Sequence, residues 1–178
     1  QLNPHMLFNS LNTLRSLVRE NQDKAQDYIQ ELSRVLRYTL QDNESQSVTL
    51  REELEFASAY IFLLKMRYEN NLQFDIQTDK ALEEYRVPPM SIQMLIENAV
   101  KHNEISNRKP LTIHITTNKK EEKLSVSNAI QPKWTATPGT GIGLVNLAKR
   151  YRLLFKQDIQ ITEDEEFTVC IPLIDEKQ

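Results

Sequence analysis

Apolar residues along the first forty positions recur at helical spacing. Leu7, Leu11, Leu14 and Val18 form one stripe, and Ile29, Leu32, Leu36 and Leu40 repeat it over 23–42. The polar residues 20–23 between them predict an antiparallel helical hairpin. Two such helices have little to bury alone, and a second copy would complete a four-helix bundle. Residues 42–47 are polar and break the pattern, which divides the chain into a helical unit, 1–46, and a second domain, 47–178. A third helix is predicted over 50–68, with Leu54, Ile61 and Leu64 among its apolar positions. Thr49 followed by Glu52 has the form of a capping box at its start. Beyond residue 70 the period drops to two, and strands are predicted at 72–76, 111–115, 124–127, 158–161 and 167–171. Helices are predicted over 90–103, after Pro88 and Pro89, and over 141–155, with a loop at 131–140. The fold class is therefore α+β: a helical hairpin, then a sandwich of helices on a mixed or antiparallel sheet.

Composition narrows the function. The chain is 39% hydrophobic and 26% charged, within the range of ordinary globular domains. A net charge of -3, a pI of about 5.7 and the lack of a dense Lys/Arg cluster argue against a nucleic-acid partner. The single cysteine, Cys170, lies in a strand pattern and reads as a packed thiol, which suits a reducing compartment. No apolar run approaches the roughly 18 residues of a membrane helix, and no signal peptide is present. The chain opens at Gln1 already inside a motif and reads as a piece of a longer protein, which leaves membrane attachment to upstream segments.

Three constellations carry candidate chemistry. In the first, two readings are open: the helix runs through Pro4 with a kink, or Asn3 caps a helix whose first position is Pro4 and His5 falls in the first turn, where the helix dipole favours an anion such as a phosphoryl group. Taken alone, His5 reads equally as a half-exposed histidine near a helix start. In the second, Asn98, Lys101 and His102 share one helix face, with Glu97 one turn from Lys101. An amide oxygen is a Mg²⁺ ligand, a lysine neutralises phosphate, and a carboxylate acts as base or orients a water. The other reading of these residues is the polar side of an amphipathic helix. In the third, Gly139, Gly141 and Gly143, all the glycines of the chain, lie within five residues and lead into a helix. Such a loop lets backbone approach phosphates, but neither a Walker A loop nor a dinucleotide fingerprint fits it.

The order and spacing of the three motifs resemble the LytS-like sensor histidine kinases, which share the Bergerat (GHKL) ATP-binding fold. Asn3-Pro4-His5 with Leu7, Phe8 and Asn9 is similar to that family's phosphoacceptor motif. Pro88 through Glu97, Asn98 and His102 resembles its N box, and Gly139 through Leu144, followed by Asn146 and Arg150, its G box. Glu52, Glu53, Leu54, Tyr60 and Arg67 also match positions on the family's preceding helix. The resemblance implies a dimerising hairpin followed by a Bergerat sandwich. It implies that His5 accepts the γ-phosphoryl of ATP, that Asn98 holds Mg²⁺, and that Glu97 activates or positions. It places Lys101 and His102 at the phosphates, and Gly139, Thr140, Gly141, Ile142, Gly143 and Leu144 around the nucleotide beneath a lid at 131–140. It implies a homodimer, a response-regulator aspartate as the next acceptor, and a place as the cytoplasmic portion of a bacterial inner-membrane protein.

One departure stands out. Where relatives carry Asp-x-Gly before the lid, this chain has Asn128, Ala129 and Ile130. The Asn128 oxygen can still accept from the adenine amine, at a cost of about 1 kcal/mol for the lost charge. Ala129 adopts positive φ less readily than glycine. Residue 6 is Met, so no acidic base follows the histidine. Two alternatives stay open: a non-catalytic dimerisation module with a decayed ATP site, and an ATPase with no histidine acceptor.

Overall fold

The computed structural model describes residues 4–41, 46–134 and 142–176. Helices α1 (Pro4–Glu20) and α2 (Gln22–Thr39) form the expected hairpin. Its link is tighter than the four polar residues suggest. The Asn21 side chain accepts from the Lys24 backbone N–H at 3.1 Å, so Asn21 is the N-cap and Gln22 and Asp23 are already helical. The predicted stripes do not all face inward. Leu32 is buried, together with Leu17, Tyr28 and Val35 from outside them, whereas Leu11, Val18, Ile29 and Leu40 face outward, as does Phe8.

Strand β1 (Val48–Thr49) leads into α3 (Leu50–Tyr68). Thr49 caps α3, its side chain accepting from the Glu52 N–H at 3.2 Å. Helix α3 is enclosed on more than one side, burying Glu53, Phe56, Ala57, Tyr60, Leu63 and Leu64. The hairpin covers one flank, and the sandwich covers another. Strand β2 (Leu72–Gln77) follows, and β3 (Arg86–Val87) pairs antiparallel with β1. This two-residue ladder shows no alternation, so the sequence pattern does not reveal it. Tertiary contacts hold it, including Arg86 N–H to Ile174 O at 2.7 Å.

Helix α4 (Ser91–His102) connects β2 to β4 (Leu111–Asn118), and β5 (Lys123–Ala129) returns as a hairpin. Helix α5 (Ile142–Phe155) precedes β6 (Gln160–Glu163) and β7 (Glu166–Pro172). The five-stranded sheet has the order β2-β4-β5-β7-β6 and is mixed. Strands β2 and β4 are parallel and the other pairs antiparallel. A parallel pair requires a crossover, and α4 lies on it. Strand β6 starts two residues later than its alternation predicts, because its register against β7 pairs Gln160 with Cys170 and Glu163 with Phe167. Ile113, Ile115, Leu124, Val126, Val169 and Ile171 of the sheet join Ile92, Leu95 and Ile96 of α4 and Leu147 and Tyr151 of α5 in one core. The Tyr151 hydroxyl ties α5 to the sheet, donating to Pro172 O at 2.8 Å.

Candidate functional site

The site is organised around α4. Its entry is unusual: Met90 has φ 70°, a left-handed backbone that costs a non-glycine residue about 1–2 kcal/mol. The carboxylate of Glu53 meets that turn from α3. It accepts from the Met90 N–H at 3.1 Å and the Ile92 N–H at 3.2 Å, and so acts as an N-cap supplied from another helix. The Tyr38 hydroxyl of α2 donates to the same carboxylate at 2.5 Å. Burial pushes the Glu53 carboxyl above its ordinary range, and the bonds it accepts from Tyr38 and the helix start pull it back.

The hairpin also touches the first turn of α4, with Gln93 Nε2 3.8 Å from the sulfur of Met6. His5 is exposed in the first turn of α1, next in sequence to Met6. At 1.5 Å of rise per residue, Asn98 lies roughly 7–8 Å farther along the helix than Gln93.

Glu97, Asn98 and His102 are half-buried on the later turns of α4, and Lys101 is exposed. The structure adds two cations to this end. Burial, then the charges of Arg67 and Lys101, lower the pKa of Lys133. Burial, then the charges of Lys101 and Lys133, hold His102 below its ordinary value. Arg67 of α3, Lys101 of α4 and Lys133 beyond β5 thus form one cationic group, with His102 beside its two lysines. Burial raises the Tyr60 hydroxyl, and the Glu97 charge raises it further, which places Glu97 beside α3. The chain just before Lys133 is tied to Asn103, a buried residue whose side-chain amide donates to Ala99 O at 2.8 Å and accepts the Gln131 N–H at 2.9 Å. Neither Lys133 nor Asn103 carries a local sequence signal. Arg67 has one in its match to the family's helix, but only the tertiary contact makes it part of this cluster.

Asn128 is nearly fully buried in β5, opposite Ile113 and Phe167, and its amide nitrogen donates to Ala129 O at 2.8 Å. Its Oδ1 is the atom with acceptor capacity toward a ligand. Gly139, Thr140 and Gly141 lie outside the described residues. Gly143 is helical, in the first turn of α5, and a Cβ there would meet nothing within 4 Å among the described residues. Ile142 is exposed, whereas Leu144 turns into the core. No group of three His, Cys, Asp or Glu gathers as a metal cage among the described residues. No helix among them is long and apolar enough to cross a membrane.

Several known proteins are similar to this chain. The family profile described as histidine kinase matches residues 1–72. The sensor protein LytS of Staphylococcus epidermidis is 33% identical over 169 residues, covering 87% of this chain and 29% of that protein. LytS of Enterococcus faecalis is 31% identical with the same coverage. The sensor histidine kinase/phosphatase LytS of Staphylococcus aureus is 40% identical over 109 residues, 61% of this chain and 18% of that protein. The chain thus spans less than a third of the length of these relatives. Among solved structures, the nucleotide-free catalytic domain of the histidine kinase ThkA superposes with a TM-score of 0.50 at 25% identity, covering 75% of this chain and 98% of that one. The chain belongs to the sensor histidine kinases, with a helical pair ahead of a GHKL-type ATP-binding sandwich related to that of the LytS family.

Proposed function

We propose that the chain transfers the γ-phosphoryl group of Mg-ATP to His5 and then passes it to an aspartate of a response regulator. The observation that carries this reading is the layout of α4. Its first turn meets the phosphoacceptor helix through Gln93 and Met6, and its later turns carry Glu97, Asn98, Lys101 and His102 within a cationic group. One rigid helix therefore links acceptor and donor sites, and phosphoryl transfer depends mainly on such positioning and on charge stabilisation.

In this reading the Asn98 amide oxygen would hold Mg²⁺, with phosphate oxygens and water completing its shell. Lys101, Lys133 and Arg67 neutralise the polyphosphate. The Asn128 Oδ1 accepts from the adenine amine, and Gly139 to Gly143 bring backbone close to the phosphates. A ring nitrogen of His5 attacks the γ-phosphorus, the bond to the ADP oxygen breaks, and the ring proton leaves to a base, for which Glu97 is the candidate. Incubating the chain with Mg-ATP labelled at the γ-position tests this: alkali-stable, acid-labile protein phosphate supports it, and its absence refutes it. A second reading, a dimerisation module with a decayed site, is favoured by Asn128 and Ala129 standing where relatives carry Asp-x-Gly. It predicts no binding heat at millimolar Mg-ATP.

Two expectations follow from the geometry. Phe8, Leu11 and Val18 on α1 and Ile29 and Leu40 on α2 leave an apolar stripe exposed on each helix of the hairpin. A second copy of the hairpin covers such stripes as a four-helix bundle. The double variant Leu11→Glu, Ile29→Glu is expected to sediment as a monomer where the parent chain sediments as a dimer.

The second concerns His102. Its depressed pKa means that the unfolded chain binds the proton more readily. Stability from this group is complete above about pH 6.5, the ordinary histidine value, and declines as pH falls below it. A bound polyphosphate reverses the bias by attracting the imidazolium. Near pH 6, Mg-ATP binding is expected to take up protons at His102 and to weaken as pH rises. Calorimetry in two buffers of different ionisation enthalpy measures the uptake, which should shrink in His102→Asn.

A further inference from the structure

Glu53 has no part in the proposed phosphoryl transfer, yet it is the one charged side chain fully enclosed among the described residues. An enclosed carboxylate needs donors, and where they come from is informative. Two are backbone N–H groups at the start of α4, Met90 and Ile92. The third is the Tyr38 hydroxyl of α2, at a distance typical of a charge-assisted O–H···O bond. The Tyr38 ring is fixed as well: it stacks on Phe56 of α3 with centroids 4.2 Å apart and planes 18° apart, which aims the hydroxyl at the carboxylate. The charge of Arg150, on α5, also acts on this hydroxyl. One carboxylate thus receives the helix that follows His5 in the hairpin and the helix that carries Glu97 and Asn98. The Tyr38–Glu53 bond is far shorter than the hairpin's described polar contact with α4 itself, between Met6 and Gln93.

We propose that Tyr38 and Glu53 are positioning residues. Their bond registers the α1–α2 hairpin against the first turn of α4, so that the phosphoacceptor helix and the nucleotide-site helix keep one relative placement. When the bond is absent, the hairpin shifts independently of α4, and the first turn of α4 loosens because its cap is no longer held from both sides. The mechanical tie stands on the geometry alone; its consequence for transfer rests on the function proposed above.

Tyr38→Phe removes the hydroxyl and keeps the ring that stacks on Phe56. The test compares this variant with the parent 178-residue chain by amide hydrogen exchange and by labelling with Mg-ATP. The Met90 and Ile92 amides are expected to exchange at least about tenfold faster, with the Ile113 and Val126 amides of the sheet unchanged as the control for global stability. Exchange at Met90 and Ile92 within twofold of the parent would overturn the tie. In labelling, the maximal rate is expected to fall at least about fivefold with the KM for ATP within twofold, since placement is lost and nucleotide contacts are not. An unchanged rate, or a loss confined to KM, would overturn the positioning role. If the parent chain does not label at all, the functional reading fails, and the exchange result still decides whether Tyr38 and Glu53 couple the hairpin to α4.

Discussion

His5→Ala is expected to lower alkali-stable labelling by more than about a thousandfold while leaving Mg-ATP affinity within about twofold. The first figure follows from removing the nucleophile: no other group on the first turn of α1 can form the phosphorus–nitrogen bond. The second follows from placement. Met6, next to His5, meets the start of α4, whereas Lys101, His102 and Lys133 gather at its far end, so losing an exposed imidazole from α1 leaves the nucleotide contacts intact. The two other histidines sharpen the test. His102 stands beside the cationic group, and His114 on β4 has its Nδ1 3.2 Å from Asp75 Oδ2. Label persisting in His5→Ala would move the acceptor to one of these or elsewhere and overturn the assignment. Parallel calorimetry on the same preparation separates a lost acceptor from a lost site.

The second large effect is expected at Asn98. Asn98→Ala removes the candidate oxygen ligand for Mg²⁺ on the half-buried face of α4 and adds no bulk. Changes to groups that merely orient a metal ligand cost about 10- to 100-fold in metal affinity, so loss of the ligand itself should raise the Kd for Mg-ATP at least about tenfold. The measurement is the ratio of nucleotide affinities with and without Mg²⁺, because that ratio isolates the metal from the adenine and phosphate contacts. A ratio equal to that of the parent chain would remove Asn98 from the metal site. Asn98→Asp keeps an oxygen ligand and should retain most of the Mg²⁺ dependence, which distinguishes a ligand from a packing residue.

Much of the fold follows from local pattern. The helical stripes of residues 7–18 and 29–40, the alternation in β4 and β5, and the Thr49 cap each need only neighbours within a turn or a strand, and each appears where the pattern places it. Grouping Glu97, Asn98, Lys101 and His102 required only helical spacing. The misjudged details share a different cause. The Asn21 cap shortened a link that looked like four polar residues, and cross-strand register moved β6. Both depend on which partner a backbone group finds, and composition does not specify that.

The same division runs through the site. Sequence alone determined the order of the candidate histidine, asparagine and glycine motifs and located the helices that carry His5 and Asn98, because apolar residues recur with the period of the element they lie in. Only the tertiary structure decided that Lys133 and Arg67 join Lys101, that Asn103 holds the start of the 131–134 segment, and that Glu53 caps a helix whose first bonded N–H lies 37 residues away. Those contacts arise where separate elements converge. They are set by the need to give buried charges and backbone N–H groups partners once the core has closed, and a one-dimensional pattern of apolar and polar residues carries no record of which partners those are.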